Sequence, residues 1–320
     1  MTDAVIVDVA GGPMGGAARF RIELYHYLER TGRKDVQVIG AKRSLDPAWL
    51  LRREAARPIR ARRVALNNVG FVTPGGERWT LLGNALHFLT SSETATLHHS
   101  IRSVVMHQAT IVRLAARRSD VLVAPCSAMA ERVSKALPSV RDRLVVRMHP
   151  VSSNMSAERA LDPVVLCPVI FESYKHMDMH LTNWVTAVDG RIDPSVQLLV
   201  TASAAEVPIS VARNERIQLV GRLDHAELRR LWGRSRAVYF PPGLESFGFP
   251  LAEARVSGIP AIAQDTAQNR EIAGPALCSF SLGDANSLLN ATKLALSKDV
   301  APDPAPFDPD RYFHWMFGSP

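Results

Sequence analysis

Glu245 and Glu253 stand eight positions apart in Pro241-Pro-Gly-Leu-Glu245-Ser-Phe-Gly-Phe-Pro250-Leu-Ala-Glu253-Ala-Arg-Val-Ser-Gly258. Their surroundings suit binding of a ligand that carries both hydroxyls and phosphates. Ala237-Val-Tyr-Phe240 reads as a buried strand, and the Pro-Pro-Gly that follows must end it. Glu245 then lies in the loop beyond the strand's carboxyl end. Pro250 suits the first helical position, where its missing N–H costs nothing, so a helix is expected to start there with Glu253 in its first turn. Amides near Phe247, Gly248 and Phe249, together with the helix dipole, favour an anionic phosphate. Carboxylates accept hydrogen bonds from hydroxyls, which fits Glu245 to a sugar and Glu253 to a ribose. Singly, each residue also fits a plainer role: Glu253 as an acid complementing a helix N-terminus, Phe247 and Phe249 as core.

Together these residues closely resemble the Glu-x7-Glu motif of the family 4 retaining nucleotide-sugar glycosyltransferases. The resemblance implies the GT-B architecture, an α/β fold of two facing Rossmann-like domains with mostly parallel sheets. It also implies that Glu245 contacts the donor sugar and Glu253 the nucleotide ribose. Ile259-Pro-Ala-Ile-Ala-Gln-Asp265 and Gln268-Asn-Arg-Glu271-Ile-Ala-Gly274 look like the family's next strand and turn.

Two further segments end strands in the same way. The apolar opening Ala4 to Ala10 runs into Gly11-Gly12-Pro13-Met14-Gly15-Gly16, then into an amphipathic helix with Phe20, Leu24 and Leu28 on one face and Gly32 as its stop. Glycines let the backbone approach a phosphate closely, or serve turn geometry alone. The spacing is not G-x-G-x-x-G, and the second strand ends at Gly40-Ala41-Lys42 rather than at an acid for a ribose, which disfavours a nicotinamide enzyme. Gly15 and Gly16 match the Gly-Gly turn that faces the donor in family 4. Lys175 follows the strand Val164 to Ile170 and precedes a helical pattern, where a lysine can neutralise a departing diphosphate. The family usually adds an arginine about five residues earlier. Ile170 stands there, so the stretch looks more like a subgroup using a Tyr-Lys pair, here Tyr174 and Lys175.

Other candidates are weaker. Asn84 and His87, in the loop after Trp79 to Leu82, could reach the acceptor or donor sugar, and His87 could take part in catalysis. His176 and His180 are four apart, as two metal ligands on one helix face would be, but no third ligand is evident and the motif is not H-E-x-x-H. Asp308-Pro-Asp310, the only Asp-x-Asp, sits in a proline-rich tail. No metal and no bound cofactor are expected, the nucleotide-diphosphate sugar being a co-substrate. Arg52 to Arg63 gathers cations that could meet an anionic membrane surface peripherally, or simply form a solvated face. No aromatic or base-reading residues interleave with them, so nucleic acid is not expected as a partner.

The 320 residues suffice for two domains of ordinary size, with 47% hydrophobic and 22% charged residues. The net charge of +7 and the pI near 9.7 favour anionic partners of some kind. Three widely spaced cysteines make neither a disulfide framework nor a metal pair, and no signal-like or membrane-spanning run is found, so a cytoplasmic protein is expected. Strands alternate with helical patterns throughout. In the first half they are expected at Ala4 to Ala10, Val36 to Ala41, Val64 to Val72, Trp79 to Leu82 and Asp120 to Pro125. In the second half they are expected at Leu144 to Arg147, Val164 to Ile170, Val196 to Thr201, Ile217 to Val220, Ala237 to Phe240 and Pro260 to Gln264. The polar stretch Val151 to Pro163 reads as a linker between an acceptor-side domain, 1–150, and a nucleotide-sugar domain, 151–320. The tail from 301 onward, rich in proline and then in aromatics, is expected to pack back on the first domain. The function implied is retaining transfer of a sugar to a hydroxyl acceptor on a glycan, glycolipid or natural product. The alternative is a catalytically silent nucleotide-sugar-binding subunit on the same fold.

Overall fold

A computed structural model describes residues 4–12, 15–55, 60–152 and 163–318 of the chain. The expected linker falls largely on 153–162, outside the described residues. Two compact units emerge. The first comprises residues up to Pro150, Glu245–Phe247 and the tail from Phe307, and the second comprises Val151–Leu244 and Gly248–Pro306.

The first unit holds β1 (Val5–Asp8), β2 (Val36–Ile39), β3 (Arg62–Ala65), β4 (Arg78–Leu81), β5 (Val121–Ala124) and β6 (Leu144–Val146). Its helices are α1 (Gly15–Thr31), α2 (Pro47–Ala55), α3 (Ser91–Thr96), α4 (His99–Ala116) and α5 (Ser127–Ala136). The sheet order is β2-β1-β3-β4-β5-β6, with every pairing parallel. Aliphatic runs such as Val5-Ile-Val-Asp8 are buried along their whole length, as a sheet covered on both faces requires.

The second unit holds β7 (Val164–Cys167), β8 (Gln197–Val200), β9 (Ile217–Leu219), β10 (Ala237–Phe240), β11 (Ala261–Gln264) and β12 (Leu277–Phe280). Its helices are α6 (Met177–Val188), α7 (Ile209–Ala212), α8 (His225–Arg234), α9 (Phe249–Ser257), α10 (Ala267–Ala273) and α11 (Ala285–Ser297). The order β12-β11-β10-β7-β8-β9 is again parallel throughout. Polar side chains set the helix starts: Asp224 and Glu227 form a capping box on α8, and Asp284 accepts the Asn286 and Ser287 amides of α11.

Ten of these strands lie where the aliphatic runs place them; β3, expected within Val64 to Val72, runs from Arg62 to Ala65 and meets that stretch only at its start. β12 does not follow from that reading, because Leu277-Cys-Ser-Phe280 is short, carries an exposed serine, and is a strand only through its pairing with β11.

The tail forms α12 (Pro309–Phe317), which packs on α1. Phe20 meets Tyr312 edge-on at 5.6 Å between ring centroids, and Tyr27 meets Phe313 at 5.0 Å. The last carbonyls of α12 are answered by arginines from the sheet side: Arg62 donates to Met316 O at 2.9 Å and Arg33 to Gly318 O at 2.5 Å. The basic stretch is therefore not one solvent-facing cation patch. Arg53 and Arg63 are buried, and Arg62 is half-buried and pairs with Glu77 at 2.8 Å. Arg52 and Arg60 remain exposed, and Arg57 lies outside the described residues.

Candidate functional site

In the second unit the strand order reverses direction between β7 and β10, which are hydrogen-bonded neighbours. In open parallel sheets such a switch point leaves a crevice beyond the carboxyl ends of the two strands, and ligands bind there. The segments leaving those two ends are the ones that carry Lys175 and the Gly248–Glu253 helix start.

After β7 the chain is pinned by Thr201, whose hydroxyl accepts the Val169 amide at 2.8 Å and donates to the Val169 carbonyl at 3.0 Å. Ser173–Lys175 then makes one tight 3-10 turn, leaving Lys175 half-buried with its Nζ 5.9 Å from the centre of the Tyr174 ring. His176 follows with φ 48°, a left-handed conformation unusual for a residue with a side chain. Local strain of this kind persists where surrounding structure over-determines it. His176 is the exposed cap of α6, whereas His180 is buried within it, so the two histidines do not present a shared metal-facing side. Burial, with help from the charge of His176, lowers the His180 pKa to about 4. Behind this turn the Tyr239 hydroxyl donates to the His180 carbonyl at 3.1 Å, tying α6 to β10.

After β10, Gln264 reaches across from the end of β11 to the Pro241 carbonyl. Gly243 sits so near that a Cβ would come within 2.9 Å of the same amide. Gly248 caps α9 at φ 85°, and a Cβ there would press Phe240 at 3.3 Å. The helix starts at Phe249, one residue before Pro250, so Glu253 is its fifth residue and not part of the first turn. Glu253 is only 7% exposed, which leaves little room for a purely solvated helix-end role. A carboxylate shielded from water in this way makes stronger hydrogen bonds than one in solution. Phe249 is half-buried.

In the first unit the switch point lies between β1 and β3. Asp8 ends β1 fully buried, and it organises the turn that follows. It accepts the Ala10 amide at 3.0 Å, Trp49 Nε1 at 3.2 Å and Asn67 Nδ2 at 2.9 Å, and pairs with Arg53. From α1, Arg21 donates to the carbonyls of Val9, at 3.1 Å, and Gly12, at 2.7 Å. Gly15, at φ 72°, and Gly16 open α1 as exposed residues, while Pro13 and Met14 lie outside the described residues. Asp8, Arg53 and Arg21 do not stand out in the sequence reading. The available signal was an acid ending an aliphatic strand directly before a glycine turn.

Asn84 caps the short turn Ala85–Phe88 by accepting the Leu86 amide at 3.0 Å, and its Nδ2 lies 3.4 Å from His87 Nε2. His87 is buried. Desolvation, reinforced by the Arg113 charge and opposed by the Gln108 side chain, lowers its pKa to about 4, so it is neutral at pH 7. Glu245–Phe247 clusters with this unit: Ser246 Oγ donates to the Gly83 carbonyl at 2.8 Å, and Phe247 meets His149 edge-on at 4.9 Å. Glu245 itself is half-buried. Among the described residues no group of three His, Cys, Asp or Glu side chains is placed to hold a metal ion.

Two parallel Rossmann-like sheets of this kind define the GT-B fold. The chain aligns over 98% of its length with a sucrose-phosphate synthase from Thermosynechococcus elongatus, covering 94% of that chain, with TM-score 0.65 at 14% identity. WaaG, a glycosyltransferase involved in lipopolysaccharide biosynthesis, matches with TM-score 0.66 at 12% identity, over 98% of this chain and all of that one. HepE of Anabaena, in complex with UDP, matches with TM-score 0.61 at 14% identity, over 98% of each chain. No protein-family model matches the sequence, and no curated protein matches it significantly. At these identities the likeness is one of fold.

Proposed function

We propose that the protein is a retaining nucleotide-sugar glycosyltransferase of the family 4 type, moving a sugar from a nucleotide diphosphate to a hydroxyl acceptor. The observation that carries this reading is the adjacency of β7 and β10, which brings the Lys175 turn and the start of α9 to neighbouring strand ends of one sheet. The barrier in such a transfer is departure of the diphosphate while positive charge grows on the sugar ring, so fixed positive groups at the phosphates matter most. Lys175 and the amino end of α9 supply them here, in place of a metal ion. Glu253 takes the ribose hydroxyls and Glu245 the donor sugar. Gly15 and Gly16 are donor-binding positions, where the lack of a side chain lets backbone approach a phosphate. Phe247, Gly248 and Phe249 shape the loop that presents the α9 amides. Asn84 and His87 serve the acceptor side, His87 as a neutral hydrogen-bonding partner or base. The GT-B neighbours, one of them holding UDP, support a nucleotide-sugar donor.

The test is a thermal-shift panel of UDP, GDP, ADP and dTDP, alone and as sugar conjugates, on the wild type and on Glu253→Ala. A nucleotide that raises the melting temperature of the wild type alone supports the ribose role, and no shift from any of them sinks the donor-site reading. Donor consumption with acceptor then separates a transferase from a silent binding subunit, which would bind without turnover.

A further inference from the structure

Two residues other than glycine hold a left-handed backbone among the described residues, His176 at φ 48° and Asn68 at φ 69°. His176 follows Lys175, and Asn68 lies in the loop that leaves the carboxyl end of β3, on one side of the first unit's switch point. Asparagine tolerates this conformation better than most residues, but glycine adopts it freely, so a turn that needed only the backbone shape would be served by glycine. What asparagine adds is a side-chain acceptor. Asn68 Oδ1 accepts the Gly83 amide at 2.7 Å, beyond the end of β4. Its neighbour Asn67 donates instead to Asp8 Oδ2 at 2.9 Å, at the end of β1. The pair therefore ties the β3 loop to the strand ends on both sides of it.

Gly83 passes the constraint on. Its carbonyl accepts the Ser246 hydroxyl at 2.8 Å, and the Ser246 carbonyl accepts the thiol of Cys126, shortly after β5, at 3.4 Å. Phe247 is buried against His149, at 4.9 Å between ring centroids, in the segment that follows β6. Ser246 and Phe247 are thus fastened to residues beyond the carboxyl ends of β4, β5 and β6, and Glu245 is the residue next to them. Glu245–Phe247 clusters with the first unit, so every link in this chain lies within that unit. A half-buried carboxylate on a loop has backbone and rotamer freedom to lose before it can meet a sugar hydroxyl in one geometry. Holding Ser246 by both its side chain and its carbonyl restricts the backbone part of that freedom.

We propose that Asn68 is a positioning residue for Glu245: by fixing Gly83 it fixes the carbonyl that holds Ser246, and so the place of the neighbouring carboxylate. This role rests on the donor-sugar assignment of Glu245. Asn68 touches no substrate and acts through Gly83 and Ser246 alone. The left-handed backbone at Asn68 fits such a role, since strain of this kind persists where surrounding structure over-determines it and gathers at functional sites.

Asn68→Gly tests it, because glycine keeps the left-handed backbone, relieves its strain and deletes only the acceptor. Hydrogen exchange on the full chain without ligand is expected to show the Gly83 amide exchanging about tenfold faster and the amides of 245–247 roughly threefold faster, while the melting temperature stays near that of the wild type. Asn68→Asp, which keeps the oxygen and tolerates the same backbone, is expected to restore both rates. With whichever UDP-, GDP-, ADP- or dTDP-sugar the wild type consumes, Asn68→Gly is expected to lower kcat about tenfold at little change in donor KM, and Asn68→Asp to recover it. Ser246→Ala should lower kcat to a similar extent, with no further loss when combined with Asn68→Gly. Exchange and kcat like those of the wild type in Asn68→Gly overturn the proposal. So does faster exchange at 245–247 with kcat unchanged, which leaves a tether without a positioning role, and so does a fall in kcat without faster exchange there. A wild type that consumes none of these donors removes the transferase reading of Glu245 and the positioning role with it, whereas the exchange rates still report the tether by themselves.

Discussion

Arg53 donates to Asp8 Oδ2 at 2.5 Å, with both side chains essentially removed from solvent. The same guanidinium donates to the carbonyls of Val69 and Gly70, both at 2.7 Å, and lies over the Phe71 ring at 4.5 Å. One ion pair thus joins the end of β1, helix α2 and the loop after β3, beneath the glycine turn of the first unit.

Removing one partner of this pair leaves a buried charge. Arg53→Met is expected to destabilise the protein by about 3–5 kcal/mol, because the Asp8 carboxylate loses its counter-charge while staying inaccessible to water. Asp8→Asn with Arg53→Met is expected to recover part of that loss. Urea unfolding of the single and double variants measures the coupling.

Gly248→Ala is expected to cost about 1–2 kcal/mol, since the left-handed backbone at φ 85° disfavours a side chain and the new Cβ would press Phe240. The α9 start should shift, so nucleotide affinity falls along with stability. Thermal unfolding with and without ligand separates the two effects.

Acid should destabilise the fold through buried histidines. Desolvation holds His149 at about 3, and burial foremost holds His87 and His180 at about 4. An unfolded histidine takes up its proton near pH 6.5. Below that pH the unfolded chain binds protons that the folded one refuses, so stability is full above about 6.5 and falls as pH drops toward 4. Each histidine contributes up to about 1.4 kcal/mol per pH unit in that window. Denaturation midpoints between pH 7 and pH 5 check the slope, and His149→Phe should make it shallower.

On the proposed function, Lys175→Met should leave the fold intact, because the residue is only half-buried in a short turn. Turnover is expected to fall about 10²–10³-fold, the usual cost of losing one preorganised group that stabilises transition-state charge. A variant with full kcat would remove Lys175 from the diphosphate site. Steady-state kinetics with the donor that emerges from the thermal-shift panel give the answer.

Much of this architecture is written locally. Aliphatic runs mark ten of the twelve strands, and glycine or proline directly follows β2, β5, β7 and β10 among them. Gly32 stops α1 and Gly248 caps α9 because only glycine accepts those backbone angles without strain. These are properties of neighbouring residues, and they survive reading one segment at a time. The α/β class follows from them directly, as does the placement of Lys175 and Glu245 after strand ends, with Glu253 on the helix that follows.

What tertiary structure decided is which strand ends are neighbours and which charges see water. β7 lies beside β10, with about seventy residues between them, only because the parallel crossovers wind in opposite directions from that point. Arg52 to Arg63 reads as one basic run, yet Arg53 and Arg63 turn inward to carbonyls and carboxylates and Arg62 to the tail. Helix α4 shows the converse, since sequence periodicity cannot say which of two apolar stripes the core will cover. Packing covered the stripe through Val105 and Val112 and left Val104, Ile111 and Leu114 outside. Burial is a property of the whole surface, set by what the rest of the chain brings against each side chain, and no local window of sequence contains it.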